Sequence, residues 1–395
     1  MIKVVHIITK LELGGAQENT LYTVSHLDKN KFIPILITGS EGLLIDDAKR
    51  LGIETHFLPS LVREINPVKD IQALLDIRRL LLSIKRSSQL PIIVHTHSSK
   101  AGIIGRWAAF FAGIPVAIHT YHGYGFNDYQ SFLKRGLFIF LERLTAKITT
   151  RFIAVSKNNI EKGIYAEIFR SNGVELIRSG IDISEFSDIK IDKAKKKKEL
   201  GIEPDKPLVG MIACFKPQKA PLDFIKAAHL VHQKMPDVRF IVAGDGDLRP
   251  AMEDLINSLG LKDKIRLLGF RRDIPEIMKC LDVFVLTSLW EGLPRVILQA
   301  FAAGIPVVAT AVDGSSEVVK NGVNGFLVKP GDVEGIAEKI VNILQKPEDF
   351  KFKISDFKSI LNEFDIDLMV KKQEELYERL VKGAGYQIMS FPQSF

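Results

Sequence analysis

Between Leu281 and Gly331 the chain alternates short apolar runs with one apolar, glycine-free segment, and this pattern leaves few folds open. Val283–Leu286 is a brief apolar run of strand length. Thr287–Pro294 is a loop that carries Glu291 and Gly292. Arg295–Ala303 then runs without glycine up to Gly304, the pattern of a helix with a C-terminal stop signal. Ile305–Thr310 reads as a second strand and Asp313-Gly314 as a turn. Strand, loop, helix, strand predicts a parallel sheet.

In an open parallel sheet, ligands sit at the carboxyl ends of the strands. The Glu291 loop is expected at such an end, opening onto a helix N-terminus whose N–H groups and dipole favour an anion. Gly292 lets backbone approach a ligand, and Pro294 suits a first helical turn. Gln299 lies about two helical turns beyond Glu291. A loop carboxylate and a helix amide thus suit two parts of one elongated ligand. A capped surface helix with Glu291 as dipole partner has the same local pattern.

The rest of the chain repeats the alternation. Lys3–Thr9 is a strand, followed by Gly14-Gly15 and by helical spacing at Leu21, Val24 and Leu27. Strands are expected at Ile33–Thr38, Glu54–Leu58, Ile92–His97, Val116–His119 and Phe152–Val155, with helices at Leu43–Leu51, Pro67–Lys85 and Ser99–Gly113. Such alternation predicts a parallel sheet covered on both faces. The second half restarts with a strand at Leu208–Ala213, the loop CFKPQKAP and a helix at Leu222–Met235. Arg239–Ala243 and Ile265–Leu268 are further strands, the latter followed by Gly269-Phe270.

At 395 residues the chain suits about two domains. The charged run AKKKKELGIEPDKP, within Ser184–Pro207, is the expected inter-domain connection, with its lysines on a solvated helix face. No apolar run reaches the length of a membrane span, and MIKVVHIITKLELGG reads as a first strand rather than a signal peptide. Cys214 and Cys280 lack metal-ligand spacing, and a reducing cytoplasm is the default. The formal net charge of +7 is uneven: up to Glu185 there are 23 Lys and Arg against 17 Asp and Glu. That excess suits an anionic partner such as a membrane surface or phosphorylated lipid, and equally an ordinary surface scatter. No nucleic-acid motif accompanies it.

His95, His97, His119 and His122 fall at strand ends, without the Cys or carboxylate partners that would mark a metal site. His122 follows a strand and precedes Gly123, where a side chain projects into a cleft or makes a local hydrogen bond. Phe132–Arg151 mixes apolar and basic residues, as a helix in a membrane interface does. A mostly buried helix with charged ends has the same look and is the preferred reading.

EGLP followed by Gln299, AAGIPVVAT, DGSSEVV and NGFLV together resemble the donor-site signature of glycosyltransferase family 4. The resemblance extends to the Gly14-Gly15 loop, to AVSKNNIEKGI from Ala154 and to the IRSGID turn. It implies an α/β chain of the GT-B type, with two Rossmann-like domains of mostly parallel strands facing across a cleft. The implied domains are 1–185 (acceptor side), 186–370 (nucleotide-sugar side) and a 371–395 helix and tail packing back on the first. It implies a retaining transferase that moves a hexosyl group from a nucleotide diphospho-sugar, UDP favoured over GDP, to a lipid-linked or cell-surface glycan. No metal and no further cofactor is implied.

Residue by residue, the resemblance assigns catalysis to His122, Lys219 and Glu291. It assigns donor binding to Gly14, Gly15, Lys216, Phe270, Gly292, Leu293, Pro294 and Gln299. The family carries a second Glu where this chain has Gln299, and an Arg where it has Cys214, so either the site has one cation fewer or Lys216 supplies the charge from a shifted position. The resemblance also implies a cytoplasmic protein at the inner face of the membrane, with peripheral contact through its basic N-terminal domain. Two other classes share these features: an epimerase of the same shape acting on UDP-GlcNAc, and a non-catalytic sugar-nucleotide-binding subunit.

Overall fold

The computed structural model describes residues 1–350 and 361–385, so residues 386–395 of the expected tail lie outside it. The chain divides into two compact units, one of Met1–Gly180 with Ile366–Phe395 and one of Ile181–Asp365.

The first unit holds seven strands: β1 (Ile2–Ile8), β2 (Phe32–Gly39), β3 (Glu54–Leu58), β4 (Ile92–His97), β5 (Val116–Tyr121), β6 (Arg151–Ala154) and β7 (Val174–Leu176). They pair in parallel in the order β3-β2-β1-β4-β5-β6-β7. Order reverses between β1 and β4, which makes their carboxyl ends a topological switch point. Between the strands run α1 (Gly15–His26), α2 (Ile45–Arg50), α3 (Pro67–Arg86), α4 (Ser99–Phe111), α5 (Phe132–Ala146) and α6 (Lys157–Tyr165).

The second unit opens with α7 (Ile183–Ser187) and α8 (Lys193–Glu199). Its strands are β8 (Leu208–Ile212), β9 (Arg239–Ala243), β10 (Ile265–Gly269), β11 (Val283–Leu286), β12 (Val307–Thr310) and β13 (Gly325–Val328). They too are parallel, in the order β10-β9-β8-β11-β12-β13. The switch point here lies between β8 and β11. The helices are α9 (Pro221–Lys234), α10 (Arg249–Ser258), α11 (Ile274–Cys280), α12 (Arg295–Ala302), α13 (Ser315–Val318) and α14 (Val333–Gln345). The last helix, α15 (Ile366–Gly383), belongs to the first unit.

Both faces of the first sheet are buried. On one, Val5, Ile7, Ile35 and Ile37 pack against Ala73, Ile77, Leu81 and Ile84 of α3 and Ala101, Ile104 and Ala108 of α4. The α3 residues recur at helical spacing, behind a start made by Pro67 and by Asn66, whose side chain accepts from Lys69 N at 3.1 Å. On the other face, Ile2, Val4, Phe32 and Ile93 pack against Ile366, Met369, Val370, Leu376 and Tyr377 of α15. Beside α4, a charge is fully enclosed. Arg106, 0% exposed, donates to Glu142 Oε2 at 2.9 Å, to Gly102 O at 2.8 Å and to Thr149 Oγ1 at 3.0 Å. Tyr121 OH donates to the same Glu142 oxygen at 2.7 Å.

Two sequence expectations change. The helix α5 is not mostly buried: Phe132 and Leu133 are 86% and 82% exposed, and Leu137, Phe140 and Leu144 are exposed too. Only Glu142 and Thr145 of this helix are buried, bound to Arg106 and Trp107 of α4, while Phe138, Ile139 and Ala146 are partly buried against the cluster that holds Tyr121 and Phe152. The lysine run is solvated only in part, with Lys195 and Lys198 exposed and Lys196 and Lys197 buried, and it does not connect the units, since α8 lies inside the second unit. Lys196 is 7% exposed, with Asp273 at 2.6 Å and Glu276 at 2.5 Å, and Lys197 donates to Lys206 O at 2.8 Å. The division between units falls ahead of that run, at Gly180/Ile181.

Candidate active site

In the second unit, the loops that follow β8 and β11 leave the sheet side by side at the switch point. They are joined at several places. Leu289 N donates to Gln218 O at 2.7 Å, and Gln218 Nε2 to Trp290 O at 2.9 Å. Thr287 Oγ1 lies 2.8 Å from Lys219 O and 2.9 Å from Ala220 O. At their centre Lys219 Nζ forms an ion pair with Glu291 Oε1.

Glu291 is held on three sides. Ser288 Oγ donates to Oε1 at 2.6 Å, and the Glu291 N–H donates to Asp313 Oδ2 at 2.7 Å. Both side-chain bonds fall on Oε1, and Oε2 has no partner among the described residues. That oxygen is available to accept from a ligand hydroxyl. Gly292, Leu293 and Pro294 are buried beside it. Pro294 is the N-cap of α12 rather than part of its first turn. Among the described residues neither the Gly292 nor the Leu293 N–H has an acceptor, so two donors stand at the start of α12. A Cβ on Gly314 would come within 2.2 Å of Gly292 O, so the turn after β12 presses directly on this loop.

Backbone conformation sets the same residues apart. Ala220, directly after Lys219, and Asp313 both have φ of +41°. Left-handed backbone at non-glycine residues is costly and concentrates at functional sites. Gln299 sits half-buried on α12, and Lys216 is the N-cap of the short 3₁₀ turn Pro217–Lys219. Phe270 follows β10 and is 48% exposed. Near it, Asp245 binds Arg249, an interaction that holds its carboxyl below the usual range, and Arg249 lies over the Phe215 ring.

In the first unit, Gly14 is the extended N-cap of α1 and Gly15 its first residue, so the helix begins on the glycine pair itself. His122 follows β5. Its Nε2 lies 3.2 Å from Nδ1 of His97, whose Nε2 lies 3.0 Å from Nδ1 of His6. His95 Nδ1 meets Tyr377 OH at 2.6 Å and its Nε2 meets Thr120 Oγ1 at 2.7 Å. His119 leaves this group: it points to the other face of the sheet, against Gly102 of α4. Burial lowers the pKa of His95, His97 and His119 and pushes His6 down to about 3, so all four are neutral near pH 7.

His6, His95 and His97 offer ring nitrogens within 4.8 Å of one another. Five of their six nitrogens already bind each other, His122, Tyr377 or Thr120. These bonds give the rings partners without any ion. Sequence reading missed His6, Ser288 and Asp313. The only signal for His6 was a titratable residue inside an otherwise apolar strand.

With this geometry in place, the chain can be set beside known proteins. Residues 192–353 match the family model of the glycosyl transferases group 1, and residues 14–159 match that of the glycosyl transferase 4-like domain. The chain belongs to this family: it is a glycosyltransferase of GT-B fold. It is 34% identical, over 96% of its own length and 97% of the relative's, to the UDP-Gal:alpha-D-GlcNAc-diphosphoundecaprenol alpha-1,3-galactosyltransferase of Escherichia coli. It is 28% identical to an N,N'-diacetylbacillosaminyl-diphospho-undecaprenol alpha-1,3-N-acetylgalactosaminyltransferase of Campylobacter jejuni, over 73% of this chain and 77% of that one. Among solved structures, HepE of Anabaena in complex with UDP and glucose aligns with a TM-score of 0.80 at 22% identity, covering 96% of this chain and all of that one.

Proposed function

We propose that this glycosyltransferase moves a hexosyl group from a UDP-sugar to a hydroxyl of a lipid-linked or cell-surface glycan, with retention of configuration. The observation that carries the reading is the Lys219–Glu291 pair at the β8/β11 switch point, beside the open N–H groups of Gly292 and Leu293. A departing nucleoside diphosphate gains negative charge, and a cation with two convergent N–H donors stabilises that charge. Glu291 Oε2 orients a donor hydroxyl, Gln299 holds the ribose, and Phe270 flanks the base. Lys216 adds charge where the family's Arg is replaced by Cys214. In this mechanism the acceptor hydroxyl attacks the anomeric carbon from the face the diphosphate leaves. A donor phosphate oxygen takes the proton, so no carboxylate base is needed. The names of the Escherichia coli and Campylobacter jejuni relatives support a diphospholipid-linked acceptor.

A panel of UDP, GDP, ADP and their sugar conjugates, read by thermal shift, tests the donor assignment. UDP compounds are expected to raise the melting temperature, and Gln299→Ala to lower UDP affinity by about tenfold, one hydrogen bond to a neutral group. A response to GDP alone would overturn the donor preference.

The acceptor reading includes docking on an anionic membrane surface. No helix among the described residues is long and apolar enough to cross a membrane. Instead α5 presents Phe132, Leu133, Leu137 and Phe140 beside Lys134 and Arg135, and Phe110 and Phe111 end the neighbouring α4. Apolar residues flanked by basic ones suit the boundary between headgroups and acyl chains. Sedimentation with anionic vesicles is expected to capture the protein. A Phe132→Ser/Leu133→Ser variant should bind about tenfold or more weakly, from the lost apolar burial. Equal capture of both proteins would remove α5 from the membrane contact.

A further inference from the structure

Three histidines in the first unit form a single file, His6–His97–His122. The distances are 3.0 Å from His6 Nδ1 to His97 Nε2 and 3.2 Å from His97 Nδ1 to His122 Nε2. His6 and His97 are 0% and 3% exposed. A neutral imidazole carries one proton, so His97 must donate through one nitrogen and accept through the other. Only two proton orders satisfy both bonds, and they differ at the inner end. His6 Nε2 is buried and has no hydrogen-bond partner. If the bonds run inward, that nitrogen carries a buried N–H with no acceptor. If they run outward, it is a bare lone pair. A buried orphan N–H is the rarer and costlier of the two.

We infer that the file is polarised outward, His6 donating to His97 and His97 Nδ1–H donating to His122 Nε2, so that His122 is held as its Nδ1–H tautomer. His97 is then a positioning residue. The strand geometry builds this in: His6 and His95 are opposite one another in the β1–β4 register, and His97 lies two residues beyond on the same face. The next residue, Ser98, has φ of +61° and lies 2.8 Å from Thr9 Oγ1 through its hydroxyl, which pins the end of β4 to the end of β1. The neighbouring ring is ordered in the same way. Gln373 Nε2 lies 3.5 Å from Thr23 Oγ1, which turns Oε1 toward Tyr377. Tyr377 OH therefore donates to Gln373 and accepts from His95 Nδ1–H.

The consequence deepens the proposed function and rests on the assignment of His122 to the transfer that the family resemblance implies. With Nε2 occupied as an acceptor, the remaining ring nitrogen of His122 is a hydrogen-bond donor and not a base. Removal of the acceptor proton then falls to the donor phosphate.

The test reads tautomer and turnover separately. The full-length protein labelled with ¹⁵N-histidine is examined near pH 7.5 by long-range ¹H–¹⁵N correlation, with His122 identified by its loss in His122→Asn. The expected pattern is a protonated Nδ1 and an unprotonated Nε2, the tautomer less common in free histidine. A protonated Nε2 on His122, or a charged ring, overturns the inference without substrate being present. Absence of transfer by the native protein would instead sink the functional reading and leave the tautomer result standing. In His97→Asn the side-chain amide replaces Nδ1–H. In His97→Gln it reaches the Nε2 position and leaves His122 without a donor. The Asn variant is expected to keep the His122 pattern and to exceed the Gln variant in kcat by about tenfold, at similar KM and melting temperature. Equal kcat in the two variants would reduce His97 to a packing role and overturn its assignment.

Discussion

Glu291→Ala is expected to lower kcat by about 10²–10³, the scale of losing one preorganised group that orients the reacting sugar. In the proposed site the side chain has two jobs that reside on different oxygens. Oε1 takes Lys219 and Ser288, while Oε2 stands open. Glu291→Gln keeps the shape but leaves the Lys219 ammonium without its counter-charge. Glu291→Ala loses both. Steady-state kinetics with a UDP-sugar and a diphospholipid acceptor should therefore rank native above Gln above Ala. Ser288→Ala, which removes one bond to Oε1, should fall by about tenfold at most. Full turnover by Glu291→Ala would refute the proposed site.

The second large effect is on stability. Arg106→Ala is expected to cost about 3–5 kcal/mol, because it strands the Glu142 carboxylate in an enclosed site. For a unit of about 200 residues this corresponds to a drop of about 10 °C in the melting temperature of the first unit. Glu142→Ala should be similar, since it strands the guanidinium and leaves Tyr121 OH without an acceptor. The double replacement Arg106→Met/Glu142→Leu should lose much less than the sum, because no charge is then left unpaired. Calorimetry on the four proteins checks this. Additive losses would show that Arg106 and Glu142 act independently.

The parallel sheets, the Glu291 loop and the start of α12 were legible because their signals are local. Strand runs, glycines and prolines punctuate the chain within a few residues of what they control. The partners of those residues were not legible. Lys219 and Glu291 lie 72 positions apart, and only a shared switch point brings their loops together. The family resemblance singled out both residues, but nothing local predicted that they touch. His6 and His97 are 91 positions apart and meet through the β1–β4 pairing, a crossover that periodicity does not specify.

The helix α5 shows a different limit. An apolar stripe with basic ends has the same period whether protein or something outside the chain covers it. Period reports which residues share a face, and the covering partner decides whether that face is buried. Lys196 and Lys197 of α8 fail in the mirror sense. A run of like charge reads as solvated until Asp273 and Glu276, far along the chain, supply its acids.

The return of α15 to the first unit has a consequence for how the protein is made. Ile2, Val4, Phe32 and Ile93 share their cluster with Leu27 and Ile177, and the rest of their cover comes from residues from Ile366 onward. A ribosome must first produce the intervening Ile181–Asp365, about 185 residues, which takes about 10–40 s at ordinary elongation rates. Throughout that interval the nascent first unit carries an apolar sheet face that is only partly closed, by α1 and Leu27, while the second unit has every strand it needs as soon as it emerges. The half of the protein that is synthesised first is therefore the half that finishes folding last. Newborn chains should lean on holding factors at that face, and any messenger cut short before the final helix should yield a first unit prone to aggregate beside a second unit that is sound.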